Sequence, residues 1–210
     1  PQASDSQKSE PKGSKLKKNG NKYMVTSASK KTPTIKYTGS SDKTKKRVII
    51  PKTVTIDGVE YKVTSIGKKA FRNNKSLKEV VIGKNITKIE TKAFYGCKNL
   101  KSVVLPKPVS FIKAKSFAGC ESLKKIHLTN KVYAIGDGAF KYSGLKSIHL
   151  NKKVQFIGNS AFAGTNIKNL QMGENVLYIG NKVFASCTSL KTIYIPANVK
   201  GINANAFNDC

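Results

Sequence analysis

Four cysteines, two histidines and a large surplus of lysine are the side chains of this 210-residue chain that could do chemistry. Cys97 and Cys120 stand 23 residues apart, as do Cys187 and Cys210. Zinc would require a Cys-x-x-Cys element or a similarly short ligand spacing, and neither is present. Two readings remain: small buried thiols at a packing position, or disulfides within each pair if the partners lie in adjoining layers. His127 and His149 are 22 residues apart. Neighbouring imidazoles could share a metal or form a pH-dependent anion patch, but no carboxylate or cysteine accompanies them. Two solvent-facing rings copied by duplication is the plainer reading, and no metal or cofactor is expected. The eleven acidic residues are scattered, with Glu79, Glu90, Asp137 and Glu174 in unrelated positions. No phosphate loop, nucleophile elbow or convergent acid–base set appears, so an enzyme is not expected.

The elements that must position these residues follow from one recurring phrase, Ile-Gly-x-x-Ala-Phe. Its phenylalanines are Phe71, Phe94, Phe117, Phe140, Phe162, Phe184 and Phe207, spaced by 22 or 23 residues. A period in the twenties predicts a solenoid. Five residues before each Phe stands an isoleucine, from Ile66 to Ile202, and three before that a Val or Ile, from Val63 to Val199. After the Phe comes Leu77, Leu100, Leu123, Leu145, Ile167 or Leu190, then an alternating apolar pair such as Val80 and Ile82 or Ile193 and Ile195. That alternation predicts a short strand with one face inward. The Gly-x-x-Ala segment suits one tight helical turn on the opposite side. A single repeat buries too little to order itself, so the copies must stack and their strands align as a parallel sheet. The expected fold class is α/β: a right-handed solenoid with the sheet on the concave face, short helical turns on the convex face, and an N-terminal β cap.

Over residues 47 to 210 the chain resembles the leucine-rich repeat proteins of the BspA-like, or treponemal, type, with their pattern L-x-x-I-x-L-P-x-x-V-x-x-I-G-x-x-A-F-x-x-C-x-x-L. The stretch from Leu100 to Cys120 departs from it only where Lys113 and Ser116 replace Gly and Ala. The resemblance implies a surface-exposed or secreted protein of a family found in bacteria and some parasitic protists and associated with adhesion to host or microbial partners.

Residues 1–20 are polar and charged and read as a disordered tail or linker. Residues 21–62 read as an N-terminal β cap, with strands near Tyr23–Thr26, Thr34–Tyr37 and Arg47–Ile50, the last being rung zero. Asp57-Gly58 within it signals a hairpin insertion. Residues 63–210 carry the repeats of 22 to 23 residues. The last is incomplete, stopping at Cys210 without a leucine or strand, as expected of a fragment or a processed form. No signal peptide or spanning segment is recognisable, and membrane insertion is not expected.

The repeat also orders the charge. The chain has 39 basic and 11 acidic residues, a formal net charge of +28, and only Arg47 and Arg72 are arginines. The residue after each repeat leucine is lysine: Lys78, Lys101, Lys124, Lys146, Lys168 and Lys191. Stacked, these make a charged column along one edge of the sheet, which repels itself unless an anion neutralises it. Further lysines, including Lys68, Lys69, Lys92, Lys113 and Lys115, weight the charge toward the N-terminal half. The outward strand positions are Val81, Val104, His127, His149, Gln171 and Tyr194. Phe111, Tyr133, Phe156 and Tyr178 beside the repeat isoleucines could stack on sugars or pack between rungs.

The resulting expectation is a non-catalytic, extracellular or cell-surface binding module. Its concave sheet and lysine column, with His127, His149, Gln171 and Tyr194, would engage a host or microbial surface protein or an anionic polysaccharide. The alternative is a structural spacer within a longer surface protein, its lysines mere solvated filler. Specific nucleic-acid binding is not expected, because base reading leans on arginine. A monomer is expected.

Overall fold

The computed structural model describes residues 8–210. At the N-terminal end, strands β1 (Lys15–Lys18), β2 (Asn21–Ser27) and β3 (Thr34–Ser40) pair antiparallel in sequence order. Strand β4 (Arg47–Ile50) leaves this sheet, and β5 (Thr53–Ile56) and β6 (Val59–Ile66) form a hairpin. Its turn is Asp57-Gly58, both residues in the left-handed region at φ 49° and 77°, which is the geometry of a type I′ turn.

Strand β6 then makes the transition to the repeats. It pairs parallel with β3 on one side and with β8 (Lys88–Ile89) on the other, while β7 (Glu79–Ile82) aligns parallel with β4. From here two rows of parallel strands run along the solenoid. The leucine-following strands form one: β4–β7–β9 (Ser102–Val104), then β13 (Asn169–Gln171) with β15 (Thr192–Tyr194). The short segments ending in the repeat isoleucine form the other: β10 (Phe111–Ile112), β11 (Ala134–Ile135), β12 (Phe156–Ile157) and β14 (Tyr178–Ile179).

Between the rows lies the core, and its spine is a ladder of parallel rings. Phe71, Phe94, Phe117, Phe140, Phe162, Phe184 and Phe207 stack with centroids 5.0 to 5.9 Å apart and planes within 9°. Tyr37 of β3 continues the ladder, stacking on Phe71 at 5.2 Å, and Tyr23 closes it edge-on at 5.7 Å. The N-terminal sheet therefore shares one core with the repeats.

Three expectations need correcting. First, the described residues contain no helix. The Gly-x-x-Ala-Phe segment is a staircase of tight turns: Ala70, Arg72 and Asn74 donate to the carbonyls of Gly67, Lys69 and Phe71 at 3.0 to 3.2 Å. The intervening amides of Lys69, Phe71 and Asn73 instead reach Thr91, Ala93 and Tyr95 in the next rung, at 3.3, 2.8 and 2.7 Å. A helix would send every amide to the carbonyl four residues back. Here the residues two before and two after Phe71, Lys69 and Asn73, sit at φ 58° and 57°, which breaks the helical path and frees alternate amides to tie the rungs together. Second, the leucine sheet is not continuous. Residues 126–128 and 148–150 hold Ile126, Leu128, Ile148 and Leu150 inward but form no strand. One residue separates Ser143 from Leu145, and Thr165 from Ile167, where two separate Cys120 from Leu123, so rung length changes on the C-terminal side of the gap. Third, part of the stretch expected to be a tail is ordered structure. Asn19-Gly20, at φ 50° and 78°, turns β1 back onto β2, and Gly13 donates to the Val25 carbonyl at 2.8 Å. Residues 1–7 of that expected tail lie outside the described residues.

Candidate binding face

The cysteines occupy one column, and each does the same thing. Cys97, Cys120, Cys187 and Cys210 donate their thiols to the carbonyls of Phe71, Phe94, Phe162 and Phe184 in the preceding rung, at 3.0 to 3.2 Å. All four are free, so neither pair forms a disulfide. Burial pushes the Cys97 thiol up to about 12 and that of Cys120 well above its ordinary value, which keeps both protonated as donors. The column is a set of rung-to-rung staples.

The lysine column is an exposed edge. Lys78, Lys101, Lys124, Lys146, Lys168 and Lys191 are all exposed. Backbone bonds join neighbours directly: the amide of Lys101 donates to Lys78 at 2.8 Å, Lys146 to Lys124 at 2.9 Å, and Lys191 to Lys168 at 2.7 Å. Lys78 donates in turn to Lys46 at 2.7 Å, so Lys46 is a further member that the repeat spacing did not disclose. The ion pairs among the described residues are Arg47–Glu79 at 3.0 Å and Lys98–Glu121 at 3.6 Å, and neither involves the column. Lys124 reaches only an uncharged acceptor, the Glu121 carbonyl, at 3.0 Å.

Beside this edge the outward strand positions fall in register. Ile49, Val81 and Val104 align across β4, β7 and β9, and Gln171 faces Tyr194 across β13 and β15. Ile49 and Val104 are 51% and 70% exposed, so the N-terminal end of this face is aliphatic. His127 and His149 lie between, both exposed, on the two rungs without strand pairing. Among the described residues no three His, Cys, Asp or Glu side chains gather as metal ligands. Column by column, then, the face runs from lysine, through small polar residues such as Ser102 and Thr192, to a mixed apolar and polar row.

The aromatic residues beside the repeat isoleucines line a shallow groove, pack in pairs and remain 37 to 45% exposed. Phe156 and Tyr178 stack at 5.2 Å with planes 3° apart, and Lys200 covers Tyr178 at 5.1 Å while donating to its hydroxyl at 3.1 Å. Phe111 and Tyr133 lie 6.1 Å apart. Phe156 and Tyr178 each turn one ring face to the other. Packing between rungs is their observed role.

A family model described as the BspA type leucine rich repeat region, in six copies, matches residues 52–163 and 110–210. A leucine-rich repeat protein of Bacteroides ovatus is 29% identical with a TM-score of 0.86, the match covering 92% of this chain and 50% of that one. A leucine rich cell surface protein of Faecalibacterium prausnitzii is 25% identical with a TM-score of 0.68, covering 88% of this chain and 55% of that one. The pneumococcal vaccine antigen PcpA is 25% identical with a TM-score of 0.77, covering 89% and 51%. The chain thus spans about half the length of these solved structures. A sequence comparison with curated proteins returns no match. No helix among the described residues is long and apolar enough to cross a membrane.

Proposed function

The chain belongs to the BspA-type leucine-rich repeat family, and from that premise we propose that it is a non-catalytic binding module of the cell surface or extracellular space. Its working surface is the open face of the leucine-strand sheet, and its partner is an anionic macromolecule: an acidic surface protein or an anionic polysaccharide. The observation that carries this reading is the lysine column, six exposed ammonium groups held rung above rung with no carboxylate among the described residues paired to any of them. Such an array carries a repulsion that folding alone gives no reason to keep, and an anion laid along it removes that repulsion. The neighbouring aliphatic stretch of Ile49, Val81 and Val104 would supply dehydrated contact area beside the charge. The surface description of the Faecalibacterium relative supports the proposed location. We read the N-terminal sheet as the cap that covers the first rung's core.

The test is retention on immobilised heparin against increasing salt. The parent is compared with a variant carrying glutamine at Lys78, Lys101, Lys124, Lys146, Lys168 and Lys191. The parent should elute at clearly higher salt. Equal elution sinks the sheet-edge reading, and failure of either protein to bind heparin or a panel of acidic proteins at physiological salt favours a spacer.

A further inference from the structure

We propose a second anion-binding surface, on the turn side of the solenoid, where Lys69, Lys92, Lys115 and Arg72 form a cradle for a sulfated polysaccharide running along the first three rungs.

The three lysines occupy one structural position, two residues before the ladder phenylalanines, and each holds a left-handed backbone at φ 58°, 58° and 54°. That region is uncommon for any side chain other than glycine, asparagine or aspartate. The same position in the following rungs is Gly138, Ser160 and Lys182 at φ 60°, 55° and 55°, so this turn accepts glycine without change of path. Lysine in three successive rungs is thus a choice against conformational preference. Backbone bonds set the three in line: Lys69 donates to Thr91, Lys92 to Ala114 and Lys115 to Asp137, at 3.3, 3.1 and 2.9 Å. Arg72 joins from the next turn, and the ring of Tyr95 lies 5.7 Å from its guanidinium and 5.9 Å from the Lys92 ammonium. Lys92 is held below its ordinary value, first by the Lys115 charge, then by partial desolvation, with Lys69 and Arg72 contributing. Neither ion pair among the described residues involves these four cations. Conformational cost and charge repulsion therefore coincide at side chains that make no ion pair among the described residues, while the backbone of Lys69, Lys92 and Lys115 ties the rungs together.

The partner chemistry follows from geometry and residue type. Ammonium groups act as point charges and suit sulfate or carboxylate groups that need no planar, two-pronged match. Successive lysines are offset by one rung, roughly 4.8 Å. Duplex nucleic acid carries one phosphate per strand for about every 3.4 Å of helix axis and winds them around that axis, so a straight row of lysines does not follow them. The sugars of an extended polysaccharide follow one another at about the rung interval, so a sulfated chain can present one anionic ring per rung.

The experiment uses the full chain and a heparin-derived octasaccharide, with affinity measured by calorimetry at physiological salt and stability by urea unfolding. Three variants are compared: Lys69, Lys92 and Lys115 all changed to glycine, the same three changed to glutamine, and the six sheet-edge lysines changed to glutamine. Both turn-side variants should lose one of the parent's two octasaccharide sites, read as a calorimetric stoichiometry lower by one, and the glycine variant should unfold at an equal or higher urea concentration. Undiminished binding by the turn-side variants overturns the proposal. If in that case the sheet-edge variant alone loses affinity, the sheet reading stands while this one falls. A less stable glycine variant would mean that the lysine stems serve packing, and would also overturn it. Single-stranded DNA competing as well as the octasaccharide would overturn the assignment to a polysaccharide.

Discussion

Ser143 occupies the cysteine column and is the place where that column fails. Four cysteine thiols there reach a phenylalanine carbonyl one rung back at 3.0 to 3.2 Å. Thr165 in the same column turns its hydroxyl onto the Phe162 carbonyl of its own turn at 2.8 Å. Ser143 is 2% exposed, and its buried hydroxyl has no partner. The shorter C–O bond does not span the gap that the C–S bond spans. A buried hydroxyl without a partner costs about 1 to 3 kcal/mol, so Ser143→Cys should stabilise the protein by about 1 to 2 kcal/mol once the weakness of a thiol donor is allowed for. The reverse change, Cys120→Ser, should destabilise by a similar ~1 to 3 kcal/mol, because it creates a second orphan hydroxyl and loses a staple. Ser143→Ala separates the two contributions: it removes the orphan without adding a staple and should fall between the parent and Ser143→Cys. Urea midpoints measure all three, and for a chain of this size about 1 kcal/mol corresponds to roughly 2 to 4 °C in thermal midpoint. A Ser143→Cys protein less stable than the parent, or a Cys120→Ser protein as stable as it, would refute the assignment of the column to rung stapling.

Alkaline pH should weaken the fold. The folded state holds the Cys97 and Cys120 protons while the unfolded chain releases them from about pH 8.5. Their contribution is complete below that value and is lost as pH rises toward about 12, the folded value for Cys97. Urea midpoints should fall between pH 9 and 11 at up to roughly 1.4 kcal/mol per pH unit for each thiol, steepening as the buried hydroxyls of Tyr23 and Tyr37, both raised by burial, join above pH 10. A flat profile over that range would contradict the burial argument. Phe140→Ala removes a fully buried ring stacked at 5.6 and 5.7 Å on both sides and should cost about 3 to 5 kcal/mol. Tyr178→Ala, at a ring 45% exposed, should cost clearly less in the same denaturation assay, and equal losses would show that the ladder is not the spine of the core.

The repeat period made the column residues legible, because a fixed interval places Cys97 over Cys120 and Lys78 over Lys101 whatever the local backbone does. Local backbone was harder to read. Ile-Gly-x-x-Ala-Phe fits a helical turn and a staircase of tight turns equally well by composition. The two differ in the left-handed residues at Lys69, Lys92 and Lys115, which lysine does not advertise. Glycine at the other left-handed column, in Gly96, Gly119 and Gly164, was the available clue. Tyr37 escaped notice as a ladder member because the chain between it and Phe71 passes through a hairpin and breaks the period. Lys46 was hidden by the same insertion, which sets it 32 residues before Lys78. Asn19-Gly20 was a hairpin signal in plain view, overshadowed by the polarity of the surrounding lysines, although Leu16 packs against the core. Register came through better than secondary structure because stacking is decided by buried side chains, whereas alternate backbone amides can bond within a turn or across to the next rung.

Lysine acetylation footprinting by mass spectrometry, with and without a saturating sulfated octasaccharide, measures most directly whether the sheet edge is the binding face. Engagement of that edge predicts strong protection of Lys78, Lys101, Lys124, Lys146, Lys168 and Lys191, with Lys152 and Lys153 modified at unchanged rates. Uniform protection of all lysines, or none at the six, would contradict it.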